Sequence, residues 1–428
     1  MSVAAAFEQL PMLQGAAWSA KDEPIESFRW NEADCAIVRM VRTRSGSKVE
    51  SSIQALHRPK SKELAAEFDA AWLRSSEPPK LAGTVDVRFA DLFAGCGAMS
   101  VGIVEACRAL GKTAHPMFAA DKNIKALEVY KTNFTPRLSS SEPIETDLDS
   151  PIGAALSQKE KSLKRRLRAI DLAIGGPPCQ GNSDLNNHTR RRDPKNALYL
   201  RLVRFAEVFE PTSIIIENVR GVLHDKNNVV EVAHEALDGL GYNVEVLVLY
   251  GEDLGVPQRR RRVFLLASTR SLDSLKMDLP RYQHPRRTFA WACNDLTGDD
   301  NSVFDTAGTP SAVSKRRIDF LFDHDCYDLP NSERPTCHRD KQHSYKSVYG
   351  RMKWHEPAPT ITTGFGSMGQ GRFVHPKHRR TITPHEAARL QFLPDFFSFD
   401  ANRAAIAEMI GNAVPPRMAY VAALHLLR

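Results

Sequence analysis

No stretch of the sequence approaches the roughly 18 uninterrupted apolar residues that a membrane-spanning helix needs, so no membrane role is expected. The seven cysteines are an odd number and lack CxxC spacing, which argues for reduced thiols over a disulfide framework or a zinc cluster. The opening residues MSVAAAFEQLPMLQGAAWSA have no basic start, and Glu8 and Pro11 interrupt their only apolar run. A secretory signal is therefore not expected, and a bacterial cytoplasmic or nucleoid setting is. No glycine loop carries the GxxxxGK[ST] pattern, so phosphate cradling is not indicated. Internal repeats and low-complexity tracts are lacking too. What remains is a globular composition, 42% hydrophobic and 25% charged, in a chain whose 428 residues suggest two or three domains.

The formal charge of +7 is modest, but the basic residues cluster. Runs occur at Lys161–Arg168, Arg190–Arg192, Arg259–Arg262, Arg286–Arg287, Lys315–Arg317 and Lys377–Arg380. One such run is usually a solvated face. Six of them, with the motifs below, favour a polyanionic partner.

Along the chain, residues 1–86 carry no readable chemistry and form an N-terminal extension of unknown role. Within it, Ala33–Thr43 reads as a short strand and Ser61–Ser75 as an amphipathic helix. From Val87 the pattern becomes strand, glycine turn, helix, and the alternation continues with Met117–Ala120, a helix around Ala126–Asn133, and strands at Ile170–Ile174, Ser213–Ile216, Val244–Leu249 and Arg262–Ala267. This predicts an α/β fold, a Rossmann-like domain with a mostly parallel sheet over 87–271, whose function lies at the carboxyl ends of its strands. Between Leu272 and His375 the alternation stops. The segment 272–394 is expected to be a smaller inserted domain, with 395–428 returning to the catalytic unit. Thr383 is a candidate N-cap, and Met409–Leu427 is expected to be a loop followed by an amphipathic helix.

Three motifs carry chemistry. The turn Asp91-Leu-Phe-Ala-Gly-Cys-Gly97 joins a strand to a helix, where Gly95 and Gly97 let the backbone approach a ligand, although tight packing alone would also call for glycine. Asp121 ends the next strand, where a carboxylate can accept from ribose hydroxyls. The loop Gly175-Gly-Pro-Pro-Cys-Gln-Gly181 follows an apolar strand and presents Cys179 among residues that restrict the backbone, as a reactive thiolate would be presented. Glu217-Asn218-Val219 ends the adjoining strand, where a carboxyl can handle protons on a substrate ring.

Taken in order, DLFAGCG, Asp121 with ALEVYKTNF, Asp147-Leu148, GGPPCQG, ENV, PQRRRRVF at 257–264, TPHEAARLQ at 383–391 and GNAVPP at 411–416 resemble the motif set of the cytosine-C5 DNA methyltransferase family over 87–428. The resemblance implies methyl transfer from S-adenosylmethionine to C5 of a flipped-out cytosine in duplex DNA, with Cys179 adding to C6 and Glu217 contacting N3 and the exocyclic amine. It implies that Arg260 and Arg262 hold the base carbonyl and order the catalytic loop, that Gln258 is structural, and that Gly181–Asn196 closes over the base. Its cofactor positions fall on Phe93, Gly95, Gly97, Asp121, Asp147, Leu148, Pro178, Leu198 and Asn412. A target-recognition role for the insert, a monomer, and a cognate restriction endonuclease that forms no stable complex are further implications. The sequence departs from the family at Asn182, where phenylalanine is usual, at Lys122, where an aromatic often stacks on adenine, and at LQFLPD.

One branch of the same family acts on tRNA with the same catalytic set. Basic and aromatic residues of the insert, such as Tyr282, Trp291, Tyr345 and Arg351, favour DNA. A catalytically silent DNA-binding homologue would have lost the cysteine, the glutamate or the glycine turn, and all are present. Cys326, Cys337, His338 and His343 do not have the spacing of a tetrahedral zinc site, and His375 and His385 read as ordinary structural histidines, so no metal is expected.

Overall fold

The computed structural model describes residues 24–59, 63–80, 83–178, 198–225, 227–271, 278–298, 302–339 and 348–428. Strands β1 (Glu26–Asn31), β2 (Ala36–Arg42) and β3 (Lys48–Gln54) form an antiparallel sheet in that order, followed by helix α1 (Leu64–Leu73). The alternating unit then runs β4 (Val85–Leu92), α2 (Ala98–Ala109), β5 (Lys112–Ala120), α3 (Ile124–Asn133), β6 (Leu138–Ser140), α4 (Ile144–Asp147), α5 (Gln158–Leu167) and β7 (Leu172–Gly175). It continues with α6 (Leu200–Phe209), β8 (Ser213–Val219), α7 (Val229–Gly239), β9 (Asn243–Tyr250), the short β10 (Gln258–Arg259) and β11 (Arg261–Ser268). Beyond these come α8 (Phe289–Cys293), α9 (Ala312–Asp323), β12 (Ala358–Pro359), α10 (Pro384–Leu390), α11 (Arg403–Asn412) and α12 (Pro416–Leu427).

Seven strands make the central sheet, in the order β6-β5-β4-β7-β8-β11-β9. From β6 to β8 every pairing is parallel; β11 runs antiparallel to both β8 and β9. The expected mostly parallel α/β sheet is what forms. Its strands are near-continuous apolar runs because both faces are covered: Ile215 enters one core, with Leu247, Phe264 and Leu266, while Ile214 and Ile216 enter the other, with Val263 and Leu265. The chain steps from β5 and β6 on one side of β4 to β7 on the other, so a topological switch point lies between β4 and β7, where a crevice opens.

The termini of the helices follow local chemistry. Thr383 caps α10, its hydroxyl accepting from the Glu386 amide at 3.1 Å, while the Glu386 carboxylate accepts from the Thr383 amide at 2.8 Å. Ser157 and Glu160 do the same at α5.

Three expectations change. The segment read as one strand near 33–43 is the middle of a three-stranded sheet whose outer strands are polar and weakly patterned. The insert contains a regular helix, α9, begun by the cap Ser311, which its overall polarity concealed. The last helix is not amphipathic in its surroundings: every residue of 416–426 is buried, because α2 packs on it and the β1–β3 sheet and α1 cover it as well.

Candidate functional site

The carboxyl ends of β4, β5, β6, β7 and β8 share one edge of the sheet, and β11, running the other way, brings its amino end to the same edge. The loops there are stitched together. The Ala94 amide donates to the Ala120 carbonyl at 3.0 Å, and the Asp121 amide to Ser140 at 3.1 Å. Asp121 accepts from the Gly95 amide at 2.7 Å and the Asn123 amide at 2.8 Å, so the acid ending β5 holds the glycine turn that follows β4. Burial raises its carboxyl above the usual value against those two donors. A carboxylate has about four acceptor positions, so capacity remains for a ligand hydroxyl.

The two glycines of the turn differ. Gly97, with φ +98°, caps α2, and a Cβ there would lie 2.6 Å from Phe134 Cε2, so this position needs glycine for packing. Gly95, with φ +53°, faces open space. Phe93 also has a positive φ, 62°, an uncommon conformation for an aromatic residue. Beneath the turn the Ser100 hydroxyl donates to Asp91 at 2.6 Å and lies 3.0 Å from the Tyr130 hydroxyl. Burial pushes the Asp91 carboxyl up to about 7. This support for the turn went unread in the sequence, although Asp91 opens the motif.

Around the same edge, Asp147 ends α4 half-buried, and its Oδ2 is buried with no hydrogen-bond partner. An orphaned acceptor of this kind suits a ligand N–H or O–H. Leu148 is wholly inside the core, its amide donating to the Ile144 carbonyl at 2.9 Å and its carbonyl accepting from Arg201 at 3.1 Å. Leu198 is half-buried against the same core, Pro178 is partly exposed, and the Asn412 side chain is exposed at the end of α11. Cys179 and the loop Gly181–Asn196, including Asn182, lie outside the described residues.

Glu217 and Arg262 meet on neighbouring strands. Glu217 is 7% exposed, and Arg262 Nε lies 2.8 Å from its Oε1 in an ion pair that is not aligned as a hydrogen bond. Burial raises the Glu217 carboxyl, with Arg262 and Arg260 pulling the other way. Its other oxygen faces Gly176: a Cβ on that glycine would be 3.2 Å from Glu217 Oε2, 3.8 Å from Met99 Sδ and 4.0 Å from Val414 Cγ2. Three motifs, with Met99 of the helix that follows the glycine turn, therefore converge on one small space at a glycine three residues before Cys179. Asn218 fastens this arrangement, its amide donating to the Pro177 carbonyl at 3.3 Å.

Arg260 is placed differently from Arg262. It is 2% exposed, and its two Nη groups donate to the Ile361 carbonyl at 2.8 Å and the Gly411 carbonyl at 3.2 Å. Gln258 is buried beside it, donating to Leu390 and Gln391 and accepting from the Ile361 amide, as expected of a structural residue.

Several basic runs are partly paired with carboxylates of the same chain. Arg259 pairs with Glu356, Arg287 with Asp69, Lys315 with Asp319, Arg379 with Asp323 and Arg380 with Glu386. In Lys161–Arg168, Lys164 pairs with Glu210, whereas Lys161, Arg165, Arg166 and Arg168 form no ion pair among the described residues. Arg190–Arg192 lie outside them. His385 bridges Asp305 and Asp395 at 2.6 and 2.9 Å, and His375 lies 3.3 Å from Glu386. Among the described residues no group of His, Cys, Asp or Glu could hold a metal ion; His343 and the Cys337 side chain are not among them. No helix there is long and apolar enough to cross a membrane.

Comparison with known proteins agrees with this geometry. The family model described as C-5 cytosine-specific DNA methylase matches residues 87–428. The chain is 48% identical over 415 residues to the Type II methyltransferase M1.BsuMI of Bacillus subtilis strain 168, covering 95% of this chain and 96% of that protein. It is 29% identical to the Type II methyltransferase M.DdeI of Desulfomicrobium norvegicum, covering 77% of this chain and 86% of that one. Two solved structures share the fold. A DNA modification methyltransferase encoded within an E. coli prophage has a TM-score of 0.55 at 24% identity, covering 79% of this chain and 98% of its own. The S. pombe Dnmt2 methyltransferase has a TM-score of 0.52 at 19% identity, covering 79% and 98%.

Proposed function

Because the chain belongs to the C-5 cytosine-specific DNA methylase family and is a DNA (cytosine-5)-methyltransferase, we propose that it methylates a cytosine flipped out of duplex DNA through a covalent adduct between Cys179 and C6. The observation that carries this reading is the convergence of Glu217, Gly176, Met99 and Val414 on one space next to the cysteine loop, with Arg262 on Glu217.

In this reading the Cys179 thiolate adds to C6. A C–S bond forms, and the ring electrons move toward C5. Glu217, whose carboxyl burial keeps protonated to higher pH than usual, hydrogen-bonds N3 and accepts from the exocyclic amine as charge develops. Arg262 turns from Glu217 toward the base carbonyl. Arg260 acts as a positioning residue through its two carbonyl partners. S-adenosylmethionine, when bound, supplies the electrophilic methyl group that C5 takes. Transfer of the C5 proton to a base, from solvent or from a side chain, and cleavage of the C–S bond then return the Cys179 thiolate and leave 5-methylcytosine in the DNA.

The residues suit that cofactor. Phe93, Gly95 and Gly97 form the turn over which it lies, with the open side at Gly95. Asp121 accepts from ribose hydroxyls, and the orphaned Asp147 Oδ2 takes a donor from the ligand. Leu148, Pro178, Leu198 and Asn412 border the same crevice. The segment 272–394 reads the DNA sequence, and 181–196 closes over the base. By likeness to the named Type II relatives, the setting is restriction and modification; in the same reading the enzyme is a monomer in a bacterial cytoplasm or nucleoid that forms no stable complex with a cognate endonuclease.

The test is to supply methyl-labelled S-adenosylmethionine with mixed-sequence duplex DNA and, separately, bulk tRNA, and to run Cys179→Ser in parallel. Duplex DNA should gain 5-methylcytosine, with the variant down at least about a thousandfold, as expected when a covalent nucleophile is removed. Labelling of tRNA alone would overturn the substrate, and an active Cys179→Ser would overturn the adduct.

A further inference from the structure

The family match begins at residue 87, yet the segment before it reaches into the catalytic core. Ile25, Val41, Trp72 and Leu73 are buried in the same cluster as Val101, Met418 and Val421. The Bacillus relative's similarity, at 95% of this chain, extends into the segment too.

Other contacts cross this junction, such as Asp69 with Arg287 and Arg74 with Trp291 and Asn294, but one buried group of polar side chains joins it to two helices. On α12, the Arg417 guanidinium donates to Glu26 Oε2 at 3.0 Å, and the Tyr420 hydroxyl donates to Glu26 Oε1. On α2, Glu105 accepts from the Trp72 indole at 3.2 Å and lies 2.9 Å from Arg39 Nη1. Arg39 spans the pair, 3.9 Å from Glu26 and with its guanidinium carbon 5.3 Å from the Tyr420 ring centre. All six residues of this network are buried.

These are also the two helices that carry the candidate cofactor loops. Helix α2 begins at Ala98, with Gly97 of the glycine turn as its cap. Helix α12 begins at Pro416, directly after Asn412-Ala413-Val414-Pro415. They cross closely at Gly102, where a Cβ would lie 2.3 Å from the Pro416 carbonyl oxygen, so a small shift of either helix alters the separation of the two loops. Net stability is a weak explanation for a buried ion network, since desolvation of each charge offsets the attraction, and apolar residues of similar volume often serve as well. A charge network does impose register.

We infer that the β1–β3 sheet and α1 clamp the cofactor site, with Glu26, Arg39 and Trp72 as positioning residues that set α12 against α2 and so set Asn412 against the turn at Gly95. This rests on the reading of those loops as the S-adenosylmethionine site. The Glu26 side chain touches neither cofactor nor base; it acts through Arg417 and Tyr420.

The experiment is calorimetric titration of the full chain with S-adenosylmethionine, alongside steady-state kinetics, for wild type, Glu26→Gln, Glu26→Asp, Trp72→Phe and the control Glu50→Ala, which loses only the exposed pair with Arg29. Glu26→Gln should weaken cofactor binding about tenfold, the scale at which contacts along a packed network modulate a distant site. It should raise KM for the cofactor with KM for DNA and kcat at saturation unchanged. Glu26→Asp should recover part of the loss. Trp72→Phe keeps an aromatic ring beside Phe392 while removing the indole donor and part of the ring system, so it supplies the test even where Glu26→Gln does not fold, and it should weaken binding by a smaller factor. Cofactor affinity equal to wild type in a folded Glu26→Gln or Trp72→Phe overturns the inference. A wild-type chain that does not bind S-adenosylmethionine overturns the underlying site assignment instead.

Discussion

The two faces of the central sheet are covered in different ways. On one face lie α5, α6 and α7, each between strands that are close in sequence, and the buried ion group there is short-range: Arg204 pairs with Glu160 at 2.6 Å and with Glu207 at 2.8 Å. The other face is assembled from both ends of the chain. Glu26 meets Arg417 across 391 positions, and Asp69 meets Arg287 across 218. The first face is what alternation of strand and helix produces by itself. The second depends on segments that carry no alternation, and it is the face on which α2 and α12 leave the two candidate cofactor loops.

The sharpest way to break that contrast is to uncouple each ion group in turn. Glu26→Leu and Glu160→Leu should each destabilise by up to about 3–5 kcal/mol in chemical denaturation, because each takes a carboxylate from a buried guanidinium and leaves it the other, Asp69 at 4.0 Å from Arg417 and Glu207 at 2.8 Å from Arg204. The consequences should separate: Glu160→Leu should leave S-adenosylmethionine affinity unchanged in the folded protein, and Glu26→Leu should weaken it. Equal effects on affinity would mean that the two faces are coupled to the site alike.

A smaller effect concerns pH. His385 joins α10 to the insert through Asp305 and to the following loop through Asp395. Burial works against its charge, but the two carboxylates outweigh it and raise its pKa above the ordinary 6.5. A histidine raised on folding contributes stability that is fully present below the unfolded value and is lost as pH rises through the folded one. The unfolding free energy should therefore fall as pH is raised from about 6.5, and His385→Gln should flatten that dependence. A wild-type profile that rises over this window would show the imidazole to be neutral.

The smallest effect is expected on the local face. Arg165 and Arg168 sit at the exposed end of α5 without ion-pair partners among the described residues. Reversing both to Glu should change stability by no more than ~0.5 kcal/mol and leave KM for DNA unaltered. A raised KM would show that this face also meets the polyanion, which the run Lys161–Arg168 suggested when only the sequence was considered.

Much of the site was legible before the fold. Glu217, Arg262, Gly95, Asp121 and Asp147 all come to the carboxyl edge, because a parallel sheet with short connections brings successive strand ends together. The distinction between Arg260 and Arg262 was not legible. Two positions apart in a run of four arginines, one is committed to the carbonyls of Ile361 and Gly411 and the other to Glu217. The four identical residues differ only in what the rest of the chain puts beside them. The roles of Gly95 and Gly97 divide for the same reason, since Phe134 decides which of them must be glycine to pack.

Sequence alone determined the strand and helix alternation over 87–271, the ordered motifs and the family. These rest on local hydrophobic period and on residue types whose chemistry does not depend on distant neighbours. Tertiary structure decided the burial of α12 on all sides, the pairing of basic residues in several runs with internal carboxylates and the union of residues before 87 with the helices of the candidate cofactor loops. Those outcomes depend on which charges and surfaces meet across hundreds of residues, and no local period records that.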